Sequence, residues 1–412
     1  MKIYRNFDHP DERFTACIGF FDGVHLGHRY LLDRLRQQAA LPLSAPLARG
    51  ASAPAAGIPP GTATPPAPAA GTPSVPAAGT LSAVVTFANH PRLLVQPDFP
   101  LRLIDTLDER LHKLAQTGVD ACFLLDFTDD VRRMTAATFL RDVLARRLGI
   151  VRLLVGYDHR FGSDRTEGFD DYVRHGAACG IEVLPAPERP AAGLTNDAPA
   201  ALTSAPVAIT SALSGQPGQP PGQPLRFSSS EVRRALAAGD VERAALLLGQ
   251  PHRVEGIVVP GHQLGRRLGF PTANLAVPPQ KALPATGVYA ATAQLLPDLG
   301  TAPADAIAPS DATAPAGSTA PASAIVWPAM VNVGYRPTVA AEGTQTDVTL
   351  EAHVIGFEGD LYGRRLALSF RHKIRDERRM ASLAELTAQL AADRQAALSA
   401  LSPPAGRRPS QP

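Results

Sequence analysis

Two histidines near the start of the chain are separated by only two residues, one of them a glycine. His25 and His28 follow an apolar run at residues 14–18 and lead into a segment with leucines at helical spacing. This pattern predicts a strand, a turn and the start of a helix. Helix starts attract phosphate, Gly27 allows a ligand to approach closely, and both imidazoles can donate hydrogen bonds to charge developing on a phosphoryl group. We therefore predict a nucleotidyl-transfer site with His25 and His28 as catalytic residues; a turn with two surface histidines, or half of a metal site, are the alternatives.

A glycine-rich segment lies much later in the chain, at residues 261–274. Its glycines would let backbone amides approach the phosphates of ATP, and Thr272 and Asn274 offer neutral oxygens to Mg²⁺. The glycines concerned are Gly261, Gly265 and Gly269. The segment lacks the Lys-Ser/Thr ending of a Walker loop. It predicts a MgATP site of another type, with Thr272 and Asn274 as metal ligands.

A carboxylate, Glu351, lies in a β-rich run at residues 348–355. Alternation along a strand puts Glu351 and His353 on one face, and Leu350 and Ala352 on the other. We expect Glu351 to face the interior of a β-barrel, where a carboxylate is costly unless it is paired or catalytic. It is our candidate for a general base; a surface glutamate paired with an arginine is the alternative.

Two loops in the first part of the chain follow predicted strands and carry side chains that suit a nucleotide. His90 follows the strand predicted at residues 83–87, and Arg160 and Phe161 follow the strand predicted at residues 151–155. Arg160 can neutralise phosphate, and Phe161 can stack on a flat ring. Both loops should lie at the same edge of the sheet as the histidine pair, since parallel strands bring their carboxyl ends together.

Three serines open a predicted helix further on. Ser228, Ser229 and Ser230 provide hydroxyls and N–H groups that can hold ATP phosphates, and Arg233, one turn into the helix, can reach departing pyrophosphate. A plain helix cap explains the serines equally well.

The pattern of apolar residues divides the chain into two kinds of structure. Up to about residue 250, apolar strands alternate with helices, which predicts a parallel sheet covered on both faces. These strands are predicted at residues 14–18, 83–87, 121–127, 151–155 and 181–184. From residue 253, five β-rich runs follow without helices between them, which predicts an antiparallel barrel. These runs lie at residues 254–259, 288–295, 325–333, 348–355 and 366–370, and a helix follows from residue 383 to about 394.

Three segments rich in Ala, Pro, Gly, Ser and Thr interrupt this pattern, at residues 41–80, 187–224 and 297–323. They carry too few large apolar side chains to offset the entropy of ordering, so we predict flexible surface insertions. The resulting organisation is a first domain at 1–250 with two insertions, a second domain at 251–400 with the third, and a disordered tail at 401–412.

Composition narrows the location and the partners. The net charge of +2 gives no reason to expect nucleic acid as a partner. Cys17, Cys122 and Cys179 lie in or beside apolar runs without the spacing of a disulfide framework, which indicates reduced thiols. No stretch resembles a signal peptide or a membrane span. We therefore predict a cytoplasmic protein without membrane contact; the sequence identifies no protein partner.

Taken together, the motifs resemble those of bacterial bifunctional riboflavin kinase/FAD synthetases. In the first half, residues 21–28 resemble the long form of the HxGH nucleotidylyltransferase signature, 86–91 the TFxPHP segment, 156–162 the GxDFRFG flap and 228–233 the ISSTxxR segment. In the second half, residues 261–274 resemble the GxxxGRxLGFPTAN motif of riboflavin kinases, 351–353 their Glu-x-His strand, and 375–377 their terminal Arg-containing segment. Asn89, His159 and Met380 replace the residues that are commoner in the family.

The resemblance implies a nucleotidylyltransferase domain with a Rossmann-like sheet, followed by a riboflavin kinase barrel. It implies contacts to ATP or its phosphates from Gly19, Phe21, Asp22, Gly23, Gly27, His90, Ser228, Ser229, Ser230, Arg233, Gly261, Gly265 and Gly269. It implies contacts to the flavin from Asp158, Arg160, Phe161 and Arg375. It also places Glu351 beside the 5′-hydroxyl of riboflavin.

The implied function is the synthesis of flavin cofactors in two steps that use ATP and Mg²⁺. Riboflavin would be phosphorylated to FMN, and FMN would then be adenylylated to FAD with release of pyrophosphate. Riboflavin, FMN and ATP are the implied substrates. Two alternatives stay open: a riboflavin kinase fused to a different HxGH nucleotidylyltransferase, and a flavin-binding regulator with a degenerate active site.

Overall fold

The structure is a computed structural model, and it describes residues 1–5, 12–43, 79–156, 160–163, 166–186, 227–261, 264–297, 325–335 and 348–402. Contacts divide the chain into two compact units. The first comprises residues 1–21, 27–99 and 111–189; the second comprises residues 22–26, 100–110 and 190–412. The predicted insertions at 41–80, 187–224 and 297–323, and the predicted tail at 401–412, lie wholly or mainly outside the described residues.

The first unit is built on a six-stranded sheet in which every pair of neighbours is parallel. Its strands are β1 (Lys2–Arg5), β2 (Phe14–Ile18), β3 (Leu81–Phe87), β4 (Ala121–Leu125), β5 (Ile150–Val155) and β6 (Glu182–Pro185), in the order β1-β4-β3-β2-β5-β6. Every residue of β2 and β4 is buried, as expected for a parallel sheet covered on both faces. The prediction of a parallel α/β sheet is confirmed, while the short edge strand β1 was not predicted.

The helices between these strands are α1 (Leu26–Ala40), α2 (Pro91–Val95), α3 (Leu107–Ala115), α4 (Asp129–Arg133), α5 (Ala136–Thr138) and α6 (Phe169–Cys179). A π-helical segment, Phe139–Ala145, continues α5. A capping box begins α3: Thr106 N donates to Glu109 Oε2 at 2.7 Å, and Glu109 N donates to Thr106 Oγ1 at 3.3 Å. This cap fixes where α3 begins.

The second unit contains a closed six-stranded antiparallel barrel. Its strands are β7 (Arg253–Val259), β8 (Ala273–Ala276), β9 (Gly287–Leu296), β10 (Val326–Tyr335), β11 (Val348–Val354) and β12 (Arg365–Arg375), in the order β10-β11-β8-β7-β12-β9. Val331, Leu350 and Phe370 are among the side chains that fill the interior. The barrel is as predicted, except that β8 was not among the five predicted β-rich runs.

Within the described ranges, four helices accompany the barrel: α7 (Ser229–Ala237), α8 (Val241–Leu248), α9 (Leu264–Arg267) and α10 (Leu383–Leu401). The first two pack into one apolar cluster with Ile104 and Ala282. The division by contacts groups α7 and α8 with the barrel. The predicted boundary between a first domain ending at residue 250 and a second beginning at residue 251 stays a prediction. Among the helices of the described ranges, none is both long and apolar enough to cross a membrane.

Candidate active sites

The turn between β2 and α1 has an unusual backbone. Phe21, Gly23 and Val24 have φ values of +57°, +87° and +42°, a region that side chains other than glycine rarely adopt. Gly19 N donates to Val85 O at 3.1 Å, which extends the pairing of β2 with β3 up to the turn. Two bulky residues in the left-handed region mean that the surrounding packing holds this turn, and such backbone strain is typical of ligand sites.

The two histidines lie at the start of α1. His25 directly precedes the helix and is buried. Its pKa is lowered to about 4, mainly by burial and to a smaller extent by the nearby cation of Arg233. His25 is therefore a neutral imidazole at neutral pH. His28 is half-buried and stands edge-on to the Phe21 ring, with 5.1 Å between ring centroids. The backbone N–H groups of Gly27 and His28 belong to the helix start, which has no acceptor within the helix for its first donors.

Asp22 holds Arg233 and the start of α7. Its carboxylate accepts hydrogen bonds from Ile104 N (3.1 Å), Asp105 N (3.0 Å) and Arg233 Nη2 (2.8 Å). Burial raises the pKa of Asp22, and these three donors oppose that rise. Asp22 therefore acts within the protein as the anchor of Arg233.

The three serines at the start of α7 have different surroundings. Ser228 caps the helix, since its Oγ accepts from Glu231 N at 3.3 Å. Ser229 Oγ donates to the carbonyl oxygen of Asp22 at 2.8 Å, while Ser230 is exposed. The interpretation as a plain helix cap thus accounts for Ser228 but leaves the other two hydroxyls to be explained.

The loop after β3 is fixed by its side chains. His90 Nδ1 accepts from Arg92 N at 3.1 Å and caps α2, and its ring stands edge-on to Phe20 at 4.4 Å. Asn89, which replaces the commoner proline, exchanges two hydrogen bonds with the backbone of Phe127: Nδ2 donates to O at 2.9 Å, and Oδ1 accepts from N at 2.8 Å. The substitution therefore ties this turn to the chain that follows β4.

The predicted flavin loop is described only in part, and Asp158 lies outside the described residues. Phe161 stacks on the buried ring of Tyr172, with 4.3 Å between centroids and 16° between planes. One face of Phe161 is thus already covered by protein. Arg160 is exposed, and its Nη1 donates to Glu167 O at 2.5 Å.

The barrel has an open pocket whose lining includes Gly261, Thr272, Asn274, Asp360 and Tyr362. Three of the residues predicted to bind MgATP therefore come together around one space.

Two glycines in this segment are required by close packing. A β-carbon at Gly261 would collide with the side-chain amide of Asn274, and one at Gly265 would collide with the carbonyl oxygen of Phe270. Gly269 has a φ of +83° and ends the short helix α9. Gly261 thus lets the backbone lie close to the side chain of Asn274, and Gly265 lets it lie close to the backbone of Phe270.

The expectation that Glu351 faces the barrel interior is wrong. Leu350, Ala352 and Val354 point inward and belong to the barrel core, so Glu351 lies on the outer face. It is half-buried there. Its partners in register are Asn274 of β8 on one side and Asn332 of β10 on the other. Directly opposed residues of antiparallel strands share a face, which makes Asn274, Glu351 and Asn332 one polar row.

Arg375 lies near this row, and Asn332 is part of it; the first was predicted to contact the flavin, and no role was predicted for the second. Arg375 grips the buried carboxylate of Asp393 on α10, with Nε 3.0 Å from both carboxylate oxygens and Nη2 2.7 Å from one. Its role as a flavin contact stays a prediction. No role was predicted for Asn332, although its polar amide between Val331 and Val333 marks the face opposite to the core.

The described residues contain no group of three or more His, Cys, Asp or Glu that could hold a metal ion. Thr272 and Asn274 lie at the same pocket and offer oxygen atoms. One or two protein oxygens together with nucleotide phosphates and water are what Mg²⁺ commonly uses, so these residues fit a metal that arrives with ATP.

One chain thus combines a parallel α/β sheet that carries the HxGH turn with a closed barrel whose pocket is lined by residues 271–274. This combination defines an ATP-dependent transferase with two active sites. The family model for FAD synthetase matches residues 8–45 and 75–193, and the model for riboflavin kinase matches residues 248–401. The bifunctional riboflavin kinase/FMN adenylyltransferase of Pseudomonas fluorescens is 33% identical, over 97% of this chain and 96% of the relative. That of Escherichia coli K12 is 31% identical, over 95% and 96%.

The chain belongs to the family of bifunctional riboflavin kinase/FMN adenylyltransferases. It is an enzyme that phosphorylates riboflavin to FMN and adenylylates FMN to FAD, with ATP as a substrate of both reactions. A crystal structure titled as a macrolide-efflux protein from Streptococcus pneumoniae has the same fold, with a TM-score of 0.62 and 22% identity over 96% of this chain and 99% of that one. At that identity the likeness concerns the fold alone.

Proposed function

We propose that riboflavin is phosphorylated at the pocket beside β8 and β11, with Glu351 as the general base. The single observation that carries this assignment is the strand register that sets Glu351 opposite Asn274, itself a lining residue of the pocket. A base in this position can accept the 5′-hydroxyl proton of riboflavin as that oxygen attacks the γ-phosphorus of ATP; the bond from that phosphorus to the β–γ bridging oxygen breaks, and ADP leaves. Gly261, Gly265 and Gly269 bring the backbone close to the nucleotide.

Thr272 and Asn274 are proposed to hold Mg²⁺ together with the phosphates of ATP. Bound there, the ion would neutralise charge on the transferring phosphoryl group. Asn274 would then touch the metal while its register neighbour Glu351 touches the flavin. This division would bring the 5′-hydroxyl oxygen of riboflavin next to the γ-phosphorus of ATP.

We propose that FMN is adenylylated at the turn between β2 and α1. A phosphate oxygen of FMN attacks the α-phosphorus of ATP, the bond from that phosphorus to the β-phosphate bridge breaks, and pyrophosphate leaves. His25 and His28 donate hydrogen bonds to the developing charge, the former as a neutral imidazole because of its lowered pKa. Gly19, Phe21, Gly23, Gly27 and His90 shape the phosphate site.

Arg233 is proposed to neutralise the departing pyrophosphate. Among the described residues, Nη2 of the guanidinium donates to Asp22 and Nε donates to the carbonyl oxygen of Arg102, and Nη1 would be left to contact phosphate. Ser229 and Ser230 would contact the same phosphates beside the Ser228 cap. Asp158, Arg160 and Phe161 would contact the flavin at the adenylylation site. Arg375 would contact the flavin at the riboflavin kinase site.

We further propose that residues 1–250 form the adenylyltransferase domain and residues 251–400 the riboflavin kinase domain. We also propose that the protein is cytoplasmic. The three cysteines are free thiols, which is consistent with a reducing compartment. No nucleic-acid partner is proposed, in view of the net charge of +2.

The experiment that tests these assignments uses the full chain with riboflavin, ATP and graded Mg²⁺, and follows FMN and FAD separately. Riboflavin should be converted to FMN only when Mg²⁺ is present, and Thr272→Val with Asn274→Leu should abolish that dependence along with the kinase reaction. FMN supplied directly should still become FAD in the same variant. Normal riboflavin phosphorylation by the variant would refute the metal-binding role of both residues.

A further inference from the structure

The orientation of Arg233 depends on residues 102–105. Their backbone supplies two donors to Asp22, from Ile104 and Asp105, at 3.1 and 3.0 Å. It also supplies an acceptor for Arg233 itself, since Arg233 Nε donates to the carbonyl oxygen of Arg102 at 2.8 Å. A displacement of this segment would therefore move both acceptors that hold the guanidinium.

Residues 102–105 are in turn held by residues 279–282, which lie between β8 and β9. Leu103 N donates to Gln280 O at 2.6 Å, and Ala282 N donates to Leu103 O at 2.7 Å. These two hydrogen bonds form an isolated bridge between Leu103 and Lys281. The two segments thus pair through their backbones without belonging to a sheet.

Lys281 reinforces this pairing from a fully buried position. Its Nζ donates to Ile104 O at 2.7 Å and to Glu109 Oε2 at 2.5 Å, and it lies 4.0 Å from Asp105 Oδ1. Glu109 Oε2 also accepts from Thr106 N in the capping box of α3. One ammonium group therefore fixes the carbonyl oxygen that precedes Asp105 and the helix that follows it.

This arrangement connects parts of the chain that serve different reactions. All of these residues belong to the second compact unit. Residues 102–109 fall in the part matched by the FAD synthetase model, whereas Lys281 falls in the part matched by the riboflavin kinase model. Lys281 does not line the pocket at β8, and its hydrogen bonds lead to residues 104–109.

We propose that Lys281 is a positioning residue for FMN adenylylation, although it lies in the riboflavin kinase part of the chain. By holding residues 102–105 it holds Asp22 and, through Asp22 and the Arg102 carbonyl, the guanidinium of Arg233. The proposal rests on the proposed role of Arg233 in pyrophosphate departure. Misplacing a catalytic group by a fraction of an ångström to one ångström is enough to slow a reaction strongly.

The test compares Lys281→Met, Arg233→Gln and the double variant in the full chain. Lys281→Met should lower kcat for FAD formation by about tenfold or more, leave KM for FMN within about twofold, and leave riboflavin phosphorylation within about twofold. The double variant should adenylylate no more slowly than Arg233→Gln alone, because both changes remove the same interaction. Arg394→Met, which removes an exposed cation from α10, serves as the control and should change neither reaction.

Several results would overturn the proposal. Multiplying effects in the double variant would show that Lys281 does not act through Arg233, and an equal loss of both activities would show a purely structural role. If Arg233→Gln is impaired and Lys281→Met is not, the proposed function stands and only the role of Lys281 falls. If Arg233→Gln adenylylates normally, the proposed role of Arg233 fails, and with it this route.

A second variant guards against misfolding, because removing one partner of a buried ion pair leaves the other charge unpaired. Lys281→Met with Glu109→Gln removes both charges while keeping an N3 residue that suits the capping box. Its riboflavin kinase activity reports folding of the barrel. Adenylylation should stay about tenfold or more below wild type in this pair; recovery to the wild-type rate would show that only the unpaired charge mattered and would refute the positioning role.

Discussion

Arg233 donates a hydrogen bond of 2.8 Å to the buried carboxylate of Asp22, a residue 211 positions earlier in the chain. Asp22 belongs to the turn that precedes the HxGH histidines, and Arg233 lies on the first turns of α7. The pair therefore joins the two sequence segments that the adenylylation reaction is proposed to use. Its geometry makes the aspartate an anchor within the protein. The contact of Asp22 with phosphate that the family resemblance implies stays a prediction.

Asp22→Asn should slow adenylylation by about tenfold or more, because an amide cannot serve all three donors that the carboxylate now accepts. Loss of one charge-assisted bond should also lower the free energy of unfolding by about 1–3 kcal/mol. Initial rates of FAD formation and urea titrations measure the two effects. Asp33→Asn, at an exposed position on α1, is the matched control and should change neither quantity. An Asp22→Asn variant with the wild-type rate would contradict the anchoring role.

His25 should titrate far below an ordinary histidine. Burial and then Arg233 lower its pKa to about 4, so an NMR titration of the ring should find it neutral down to about pH 5. Arg233→Gln removes the neighbouring cation and should raise this pKa, though not to 6.5, since burial persists. A ring that titrates near pH 6.5 in the wild-type protein would contradict the buried placement.

The same shift has a consequence for stability. Between about pH 6.5 and 4 the unfolded chain binds a proton at this position that folded His25 does not bind. The folded state should therefore lose stability as the pH falls through that window, by at most about 3 kcal/mol. His25→Asn should remove this contribution. Urea unfolding at pH 7 and pH 4.5 measures it, and identical pH dependence in wild type and variant would count against the prediction.

Gly261→Ala should impair the kinase reaction alone. The added methyl group would collide with the Asn274 amide and displace a proposed ligand of Mg²⁺. We expect KM for MgATP in riboflavin phosphorylation to rise by about tenfold or more, since one well-placed ligand is lost. Adenylylation of supplied FMN in the same protein is the internal control. Unchanged phosphorylation kinetics would mean that Asn274 tolerates displacement.

Deleting residues 44–78 should retain both activities. The ends of this segment are held together by protein contacts, because Thr80 N donates to Ala39 O at 2.9 Å and buried Arg152 donates to Gln38 O at 2.6 Å and Pro42 O at 3.1 Å. A short Gly-Ser connection between Leu43 and Gly79 changes the closure entropy only slightly. Thermal melts and both assays check this, and failure to fold would show that the deleted residues are structural.

The sequence predicted local structure well where the signals are local. The helix cap that was one interpretation of the serines is present at Ser228, because such a cap depends on residues only three apart. Strand β1 was missed, because its four residues include the charged Lys2 and Arg5 and only Tyr4 is buried. A short edge strand gains its stability from a distant partner, here β4, which local patterns do not record.

The long-range relationships were not predictable in the same way. Alternation around Glu351 fixes which residues share a face, but closure of the barrel decides that Leu350 and Ala352 point inward. Likewise, nothing near Asp22 in the sequence indicates that Arg233 and the backbone of Ile104 will meet its carboxylate. Lys281, between Gln280 and Ala282, looks in the sequence like an ordinary surface lysine, and only the fold shows that it is fully buried against Glu109.

The most direct test is to measure FMN and FAD formation separately in Glu351→Gln and in His28→Ala, each in the full chain. Glu351→Gln keeps the side-chain shape and should lower riboflavin phosphorylation by about two orders of magnitude or more, while supplied FMN is adenylylated at the wild-type rate. His28→Ala should do the reverse, with adenylylation lowered by about two to three powers of ten and phosphorylation unchanged. Two independent active sites with these residues predict that crossed pattern. Either variant retaining its own reaction at nearly the wild-type rate, or losing both reactions together, would contradict the account.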